Sequence, residues 1–385
     1  MIGETSDAEK TDRTKRIAVS IALFVLISFV LKAASSITLP LAISFFLFLI
    51  LNPMVNKMEQ HRVPRWLAIL FAIFILISFF VLLFFFLSVT INSFVNQVPK
   101  YFTRFDDIFG GLGESIGPAL GLTPGTGLSE MLDWRSIFIN LVTSVSGSLV
   151  NFISMSVLIF IFVLFLLLER QSLIPKFKVA LPSRSGMRVA IMFERINRQI
   201  SRYLVVKSII SLVTGVLFYL GSLAVGLDFA IIWGVLAVLF NFIPNIGSII
   251  ITFLVVGMSF LQFFPDFARI IYVALIMSMI QLVMGNILDP RFQGNQLNLS
   301  PFIILVSLAF WGYIWGIMGM FLAVPIMSIV QIFCTNVKSL RPIAVFISSG
   351  KRYRAQIKDE ERRRKERFQR MREERREQKK QNKSR

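Results

Sequence analysis

The side chains in this chain best placed to do chemistry are uncharged. Asn241, Asn245 and Ser248 stand with Pro244 and Gly247 in LFNFIPNIGSII, while Gln281 and Asn286 belong to the next apolar block. Amides and hydroxyls both donate and accept hydrogen bonds, so together they suit a neutral, polyhydroxylated solute. In hydrocarbon the same groups also serve as ties between helices, worth well under ~2 kcal/mol each. One carboxylate, Asp289, follows beside Pro290 and Arg291. Facing a cavity it could take H⁺ or Na⁺ as a coupling ion; at an interface it would simply pair with arginine.

Covalent and metal chemistry find little support. A single cysteine, Cys334, excludes an intramolecular disulfide and a Cys-based metal site, and a single histidine, His61, excludes a His-rich cluster. No Ser-His-Asp set, paired intramembrane acids or phosphate loop is recognisable. The sequence therefore assigns no catalytic residue, no metal ligand and no cofactor, and the chain is not read as an enzyme.

The elements that must hold these residues are apolar. Of 385 residues, 55% are hydrophobic and 39 are phenylalanine, and the mean hydropathy is +0.70. That leaves too little polar surface for a water-soluble globule, so the expected fold class is an all-α polytopic membrane protein. Runs of about 20 apolar residues mark the spans. Residues 17–91 carry three, with 17–31 and 37–54 expected as an antiparallel pair and the third over 66–91. Residues 92–144, with GGLGESIGPALGLTPGTG at the centre, read as an extracytoplasmic arm or small domain, because the breakers argue against one long helix. A fourth span covers 145–168. The basic segment 169–203 places Phe193, Ile196, Ile200 and Tyr203 at helical spacing, which suggests a helix lying on the cytoplasmic surface of the bilayer.

Residues 204–345 form the remaining unit. After a span over 204–225, two apolar blocks at 229–264 and 301–333 are interrupted, the first at Pro244 and Gly247, the second near Gly312, Gly316 and Gly319, with Pro325 beyond. Each arm is short for a full crossing. Two inverted broken hairpins around one span, with about six full crossings, fit the pattern; eight ordinary spans fit the parity equally well, with Asn245 and Gly247 then forming a plain cytoplasmic turn. A broken tip frees backbone N–H groups at a fresh helix start, with Ser248 as its expected cap. The glycines also permit close helix packing.

Charge supplies orientation. The net charge is +19, and residues 351–385 hold 17 Lys or Arg against 7 Asp or Glu. Residues 1–16, the 56–65 loop, 169–203 and the 346–385 tail carry the positive excess, which places them and both termini in the cytoplasm. The tail pairs acids and bases at i, i+4 spacing as a solvated helix, and its excess charge suits anionic lipid; nucleic acid is a poor fit, because aromatic interleaving for base stacking in residues 357–385 is limited to Phe368.

Taken in order, LFNFIPNIGSII, GNILDPRFQGNQLNLSPFIIL and WGIMGMFLAVPIMSI, with LNPMVNKMEQHRVPRWLA and RYLVVKSIISLVTG, resemble the AI-2E family of transporters across residues 17–345. The resemblance implies a bacterial cytoplasmic-membrane permease, a homopentamer with a mobile hairpin unit working in an elevator-like way. It implies export of a small polar signal such as autoinducer-2, or Na⁺ or H⁺ antiport. Asn245 replaces a usual aromatic and Ser248 a usual proline, so this tip is more polar than the family pattern. A scaffold recruiting partners through its basic tail, or a passive channel, are the readings from other classes.

Overall fold

The computed structural model describes residues 2–116, 134–180, 183–293 and 298–350, with Arg362 and Arg367. The tail, and with it the expected lipid contact, otherwise lies outside the described residues, as does the centre of the 92–144 region.

The chain is built from α1 (Ile2–Ala33), α2 (Ser35–Gln60), α3 (Arg65–Ile116), α4 (Trp134–Ala180), α5 (Ser183–Ala224), α6 (Ala230–Asn241), α7 (Ile246–Phe263) and α8 (Phe267–Gln281). A π-helical turn (Leu282–Leu288), α9 (Asp289–Gln293), α10 (Pro301–Asn336) and α11 (Arg341–Ile347) complete it. Among the described residues, the only extended pairing is an isolated bridge between Leu299 and Ser348. Among the described residues, seven stretches are long and apolar enough to cross a bilayer, with shorter apolar helices at Ala18–Ala33 and Ala230–Asn241. Large apolar side chains such as Phe74, Phe85, Phe165 and Phe253 remain exposed along them, as lipid permits and water does not. The protein is an all-α polytopic membrane protein.

Side-chain ties set the directions. Ser44 donates to the Ile159 carbonyl and Arg170 to Asn56, so α2 and α4 run parallel. Arg65 at the start of α3 donates to the Leu167 carbonyl (2.7 Å) near the end of α4, and Ser201 and Asn197 meet Leu49 and Asn52 respectively. Hence α3 and α5 run against α2 and α4.

Several sequence expectations change. Only Ala34 separates α1 from α2, and Ala34 N–H to Val30 and Thr38 N–H to Ala34 carry helical bonding through it. An antiparallel reversal needs a loop of about 2–5 residues, so the two helices meet in a bend instead of forming an antiparallel pair. α3 continues through Gly110, Gly111 and Gly113 to Ile116, because isolated glycines cost a helix only about 1 kcal/mol each. The 183–203 stretch is the first half of α5, and Ile196, Ile200 and Tyr203 pack with Leu49, Val55, Val163 and Leu167. That stripe covers a protein core and not a lipid surface, which amphipathic spacing alone does not distinguish.

The two broken helices are hairpins. Gly226, at φ +69°, closes α5 with Leu227 N–H bonding the Ser222 carbonyl (2.9 Å) and Gly226 N–H the Leu223 carbonyl (3.0 Å), a Schellman ending. α6 and α7 then fold back on each other: Gln262 donates to the Gly226 carbonyl (2.9 Å) and accepts from Asp228 N–H (2.8 Å) at the open end. In α10, Trp315 (φ −124°, ψ 15°) and Gly316 (φ 64°, ψ −147°) leave helical geometry. Ser307 donates to the Ala323 carbonyl at 3.0 Å, whereas a straight helix would hold residues sixteen apart at about 24 Å. α10 is therefore a second hairpin.

The hairpins point in opposite directions. The first opens beside Tyr101 on the far part of α3, and its tip reaches down to Ser211. The second raises its tip to the α1–α2 bend, where Trp315 Nε1 lies 3.2 Å from Thr38 Oγ1. Their cores also differ. Phe218, Trp233, Ile251, Val255, Val273 and Met277 form one around the first hairpin, while Leu322, Val324 and Ile332 of the second join the α2–α5 core. Residues 204–345 thus do not share one core; Ile243, Leu308 and Ala323 form the small seam between the hairpins.

Candidate functional site

A cavity of about 640 Å³ lies between α5, the first hairpin, α8 and the π turn. Asn241, Pro244, Asn245, Ser248, Gln281, Asn286 and Asp289 all line it, joined by Lys207, Thr252, Ser278 and Gly285. Gly312, Gly316, Gly319 and Pro325 do not line it; they belong to α10, where Gly316 leaves helical geometry, and the first tip rests on that helix through Ile243.

The tip is a tight reversal. Pro244 interrupts N–H donation, and Asn245 starts α7 at φ 61°, ψ −54°, a positive φ that asparagine tolerates better than most residues. Gly247 then passes so close to the end of α6 that a Cβ there would sit 1.8 Å from the Phe240 carbonyl oxygen. Ser248 does not cap this helix, since Asn245 occupies the cap without a side-chain bond. The Ser248 hydroxyl instead accepts from Gln281 Nε2 across the cavity wall. Gln281 Oε1 is buried without a hydrogen-bond partner. Asn241, 3% exposed, donates to Ser211 Oγ at 3.0 Å, so it ties the tip to α5 while edging the cavity.

The other wall comes from a helical defect. Asp266 caps α8 by accepting from Arg269 N–H (3.2 Å), and the helix is regular until Leu282–Leu288 widens to π geometry, with Asp289 N–H reaching back to the Met284 carbonyl. Pro290 has no N–H to offer the carbonyls four and five residues before it, and π turns frequently accompany functional sites. The widened turn brings Gly285, Asn286 and Asp289 to the cavity.

Lys207 was not among the residues singled out by sequence. It is 2% exposed, and its ammonium sits 2.7 Å from Asp289 Oδ2. Asp289 is thus paired across the fold with α5. A lysine four residues into an apolar span was the available signal, because ionisable groups at such depth are costly and usually functional.

At the open end of the first hairpin, the Tyr101 hydroxyl donates to Asp228 and Arg104 donates to the Gln262 carbonyl. Lys100 lies 3.5 Å from Asp228. Burial first, and the Asp228 carboxylate second, push the Tyr101 phenol above its ordinary range.

Opposed helical hairpins and a cavity between apolar helices, where amides, hydroxyls and one ion pair stand among Ile249, Phe253, Val256 and Leu282, fit a polytopic protein of the transport class. The AI-2E family transporter model matches residues 19–339, and the chain belongs to that family. It is 32% identical over 342 residues to the AI-2 transport protein TqsA of Escherichia coli strain K12, covering 86% of this chain and 95% of that protein. A protein of Borreliella burgdorferi with a proposed transport role is 30% identical over 346 residues, 90% of this chain and 94% of its own length. One of Haemophilus influenzae, named in the same way, is 33% identical over 327 residues, 82% and 91% respectively. The protein is therefore a membrane transporter of a family made of transport proteins.

Proposed function

We propose that the cavity binds a small polar, hydroxyl-bearing solute and that the first hairpin carries it across the bilayer as an exporter with an elevator-like cycle. The carrying observation is that Asn241, Asn245, Ser248, Gln281 and Asn286, from separate elements, converge on one cavity. Amide and hydroxyl walls with a neutralised ion pair match an uncharged polyhydroxylated solute better than an ion. Autoinducer-2 is the first solute to test, because a relative is named as its transport protein. The first arm of each hairpin, α6 with 12 residues and residues 301–314 of α10, is short for a crossing, which supports re-entrant hairpins. The core around the first hairpin, shared with Tyr101 of α3 and Phe218 of α5, is separate from the α2–α5 core, and the hairpins meet at a small seam, which supports its movement. Cytoplasmic termini follow from the positive charge of the 56–65 loop and the tail, and a homopentamer is the expected assembly, its exposed apolar faces being shared between lipid and neighbouring copies.

Two measurements test this. In proteoliposomes, autoinducer-2 flux should depend on the chain and fall at least about tenfold in a Ser248→Ala, Gln281→Ala variant, a loss of ~1.4 kcal/mol. In a Cys334→Ala background, Asn245→Cys should react with impermeant thiol reagents from both sides of the membrane. Labelling from the cytoplasm alone would make the tip a fixed loop and end the elevator reading.

A further inference from the structure

The Lys207–Asp289 pair sets an ion pair into the wall of the cavity. Both residues face the cavity, yet Lys207 is 2% exposed and its ammonium lies 2.7 Å from the carboxylate. The carboxylate begins α9 immediately after the π turn, and Pro290 withholds a donor from the Gly285 and Asn286 carbonyls. A carboxylate at the irregular backbone of a helix defect is the kind of donor set that holds a monovalent cation. Here the cation position is filled by the chain itself.

The two partners come from different parts of the fold. Lys207 sits on α5 just above Tyr203 and Leu204, which belong to the α2–α5 core, whereas Asp289 follows α8, whose Val273 and Met277 belong to the first-hairpin core. A diffusible ion at this seam would come and go with each cycle. A tethered ammonium cannot leave, and removing either partner would strand the other charge in a poorly solvated site.

We infer that Lys207 is a built-in counter-ion that occupies the cation position at Asp289, making solute movement through this cavity independent of Na⁺. Lys207 is accordingly a specificity-determining residue: it excludes Na⁺ and balances the Asp289 carboxylate with its own ammonium, 2.7 Å away. The inference rests on reading the cavity as the transport site, but its test does not need transport.

The test uses the purified full chain in detergent, with thermal unfolding followed in NaCl and in choline chloride of equal ionic strength. The wild type should unfold at the same midpoint in both salts. Lys207→Met should unfold earlier in choline and recover saturably with NaCl, by about 3 °C or more. In Lys207→Met with Asp289→Asn, the Na⁺ response should vanish. Saturable Na⁺ stabilisation of the wild type would overturn the inference, as would a Lys207→Met variant that responds to NaCl no more than to choline, or a double variant that still responds. If Lys207→Met does not fold, Lys207→Gln carries the same expectation, and the wild-type comparison stands alone. Proteoliposomes that move no solute would defeat the transport reading while leaving the Na⁺ shift of Lys207→Met to be measured, so the two failures are separable.

Discussion

Gly247→Ala places a methyl group where the hairpin tip leaves no room. The new Cβ would lie 1.8 Å from the Phe240 oxygen, 2.7 Å from its carbon and 3.0 Å from Ile243 Cβ. The first two are backbone atoms, and the Phe240 oxygen already accepts from Ile243 N–H at 2.9 Å. No rotamer change relieves the clash, so the end of α6 must move and that bond must stretch. Overpacking costs about 1–3 kcal/mol and a lost hydrogen bond about 1 kcal/mol, giving roughly 3 kcal/mol in all. For a chain this long the thermal midpoint should fall by about 5 °C. Gly257→Ala is the matched control: nothing lies within 4 Å of its Cβ, and alanine in a helix gains about 1 kcal/mol over glycine. Both variants would be measured by thermal unfolding in detergent, with Asn245→Cys labelling as a local probe of the tip. A Gly247→Ala protein as stable as the wild type, with unchanged labelling at position 245, would refute the close approach of the two arms and with it the hairpin tip as described.

The second hairpin can be trapped covalently: Ser307→Cys with Ala323→Cys, in a Cys334→Ala background, should oxidise to a disulfide, which a straight α10 would forbid. Within the cavity, Ser248→Ala and Gln281→Ala should be non-additive in solute binding by about 1 kcal/mol, because each removes the same hydrogen bond; strict additivity would show that the two residues act separately. The clasp at the hairpin's open end should weaken at high pH. Tyr101 keeps its proton in the folded protein above pH ~10, where the unfolded chain loses it, so its contribution is whole below pH ~10 and is lost progressively above. Tyr101→Phe should remove that alkaline slope of the thermal midpoint, and an unchanged slope would mean that the phenol plays no part in it.

Much of the fold was legible in one dimension. Apolar run length requires helices in lipid, whichever way they pack, so the polytopic class followed from composition. The breaks at Pro244–Gly247 and Gly312–Gly316 were visible because proline withholds a donor and glycine permits positive φ, and these are local facts. Asn241, Asn245 and Ser248 were legible for a similar reason: polar groups in apolar sequence are conspicuous wherever they end up.

Tertiary structure decided what periodicity leaves open. The stripe through Ile196, Ile200 and Tyr203 is equally suited to lipid or protein, and only the arrival of Leu49 and Leu167 makes it a core. The path of α3 through three glycines depends on the summed propensity of a long helix, not on its weakest residues. The division of the hairpins between two cores has no sequence signature, since Val255 and Val324 are both simply apolar. Asp289 could be read as pairing with its neighbour until the fold brought Lys207 to it from 82 residues away. Sequence determined which groups would be expensive to bury; the fold alone determined which of them would meet.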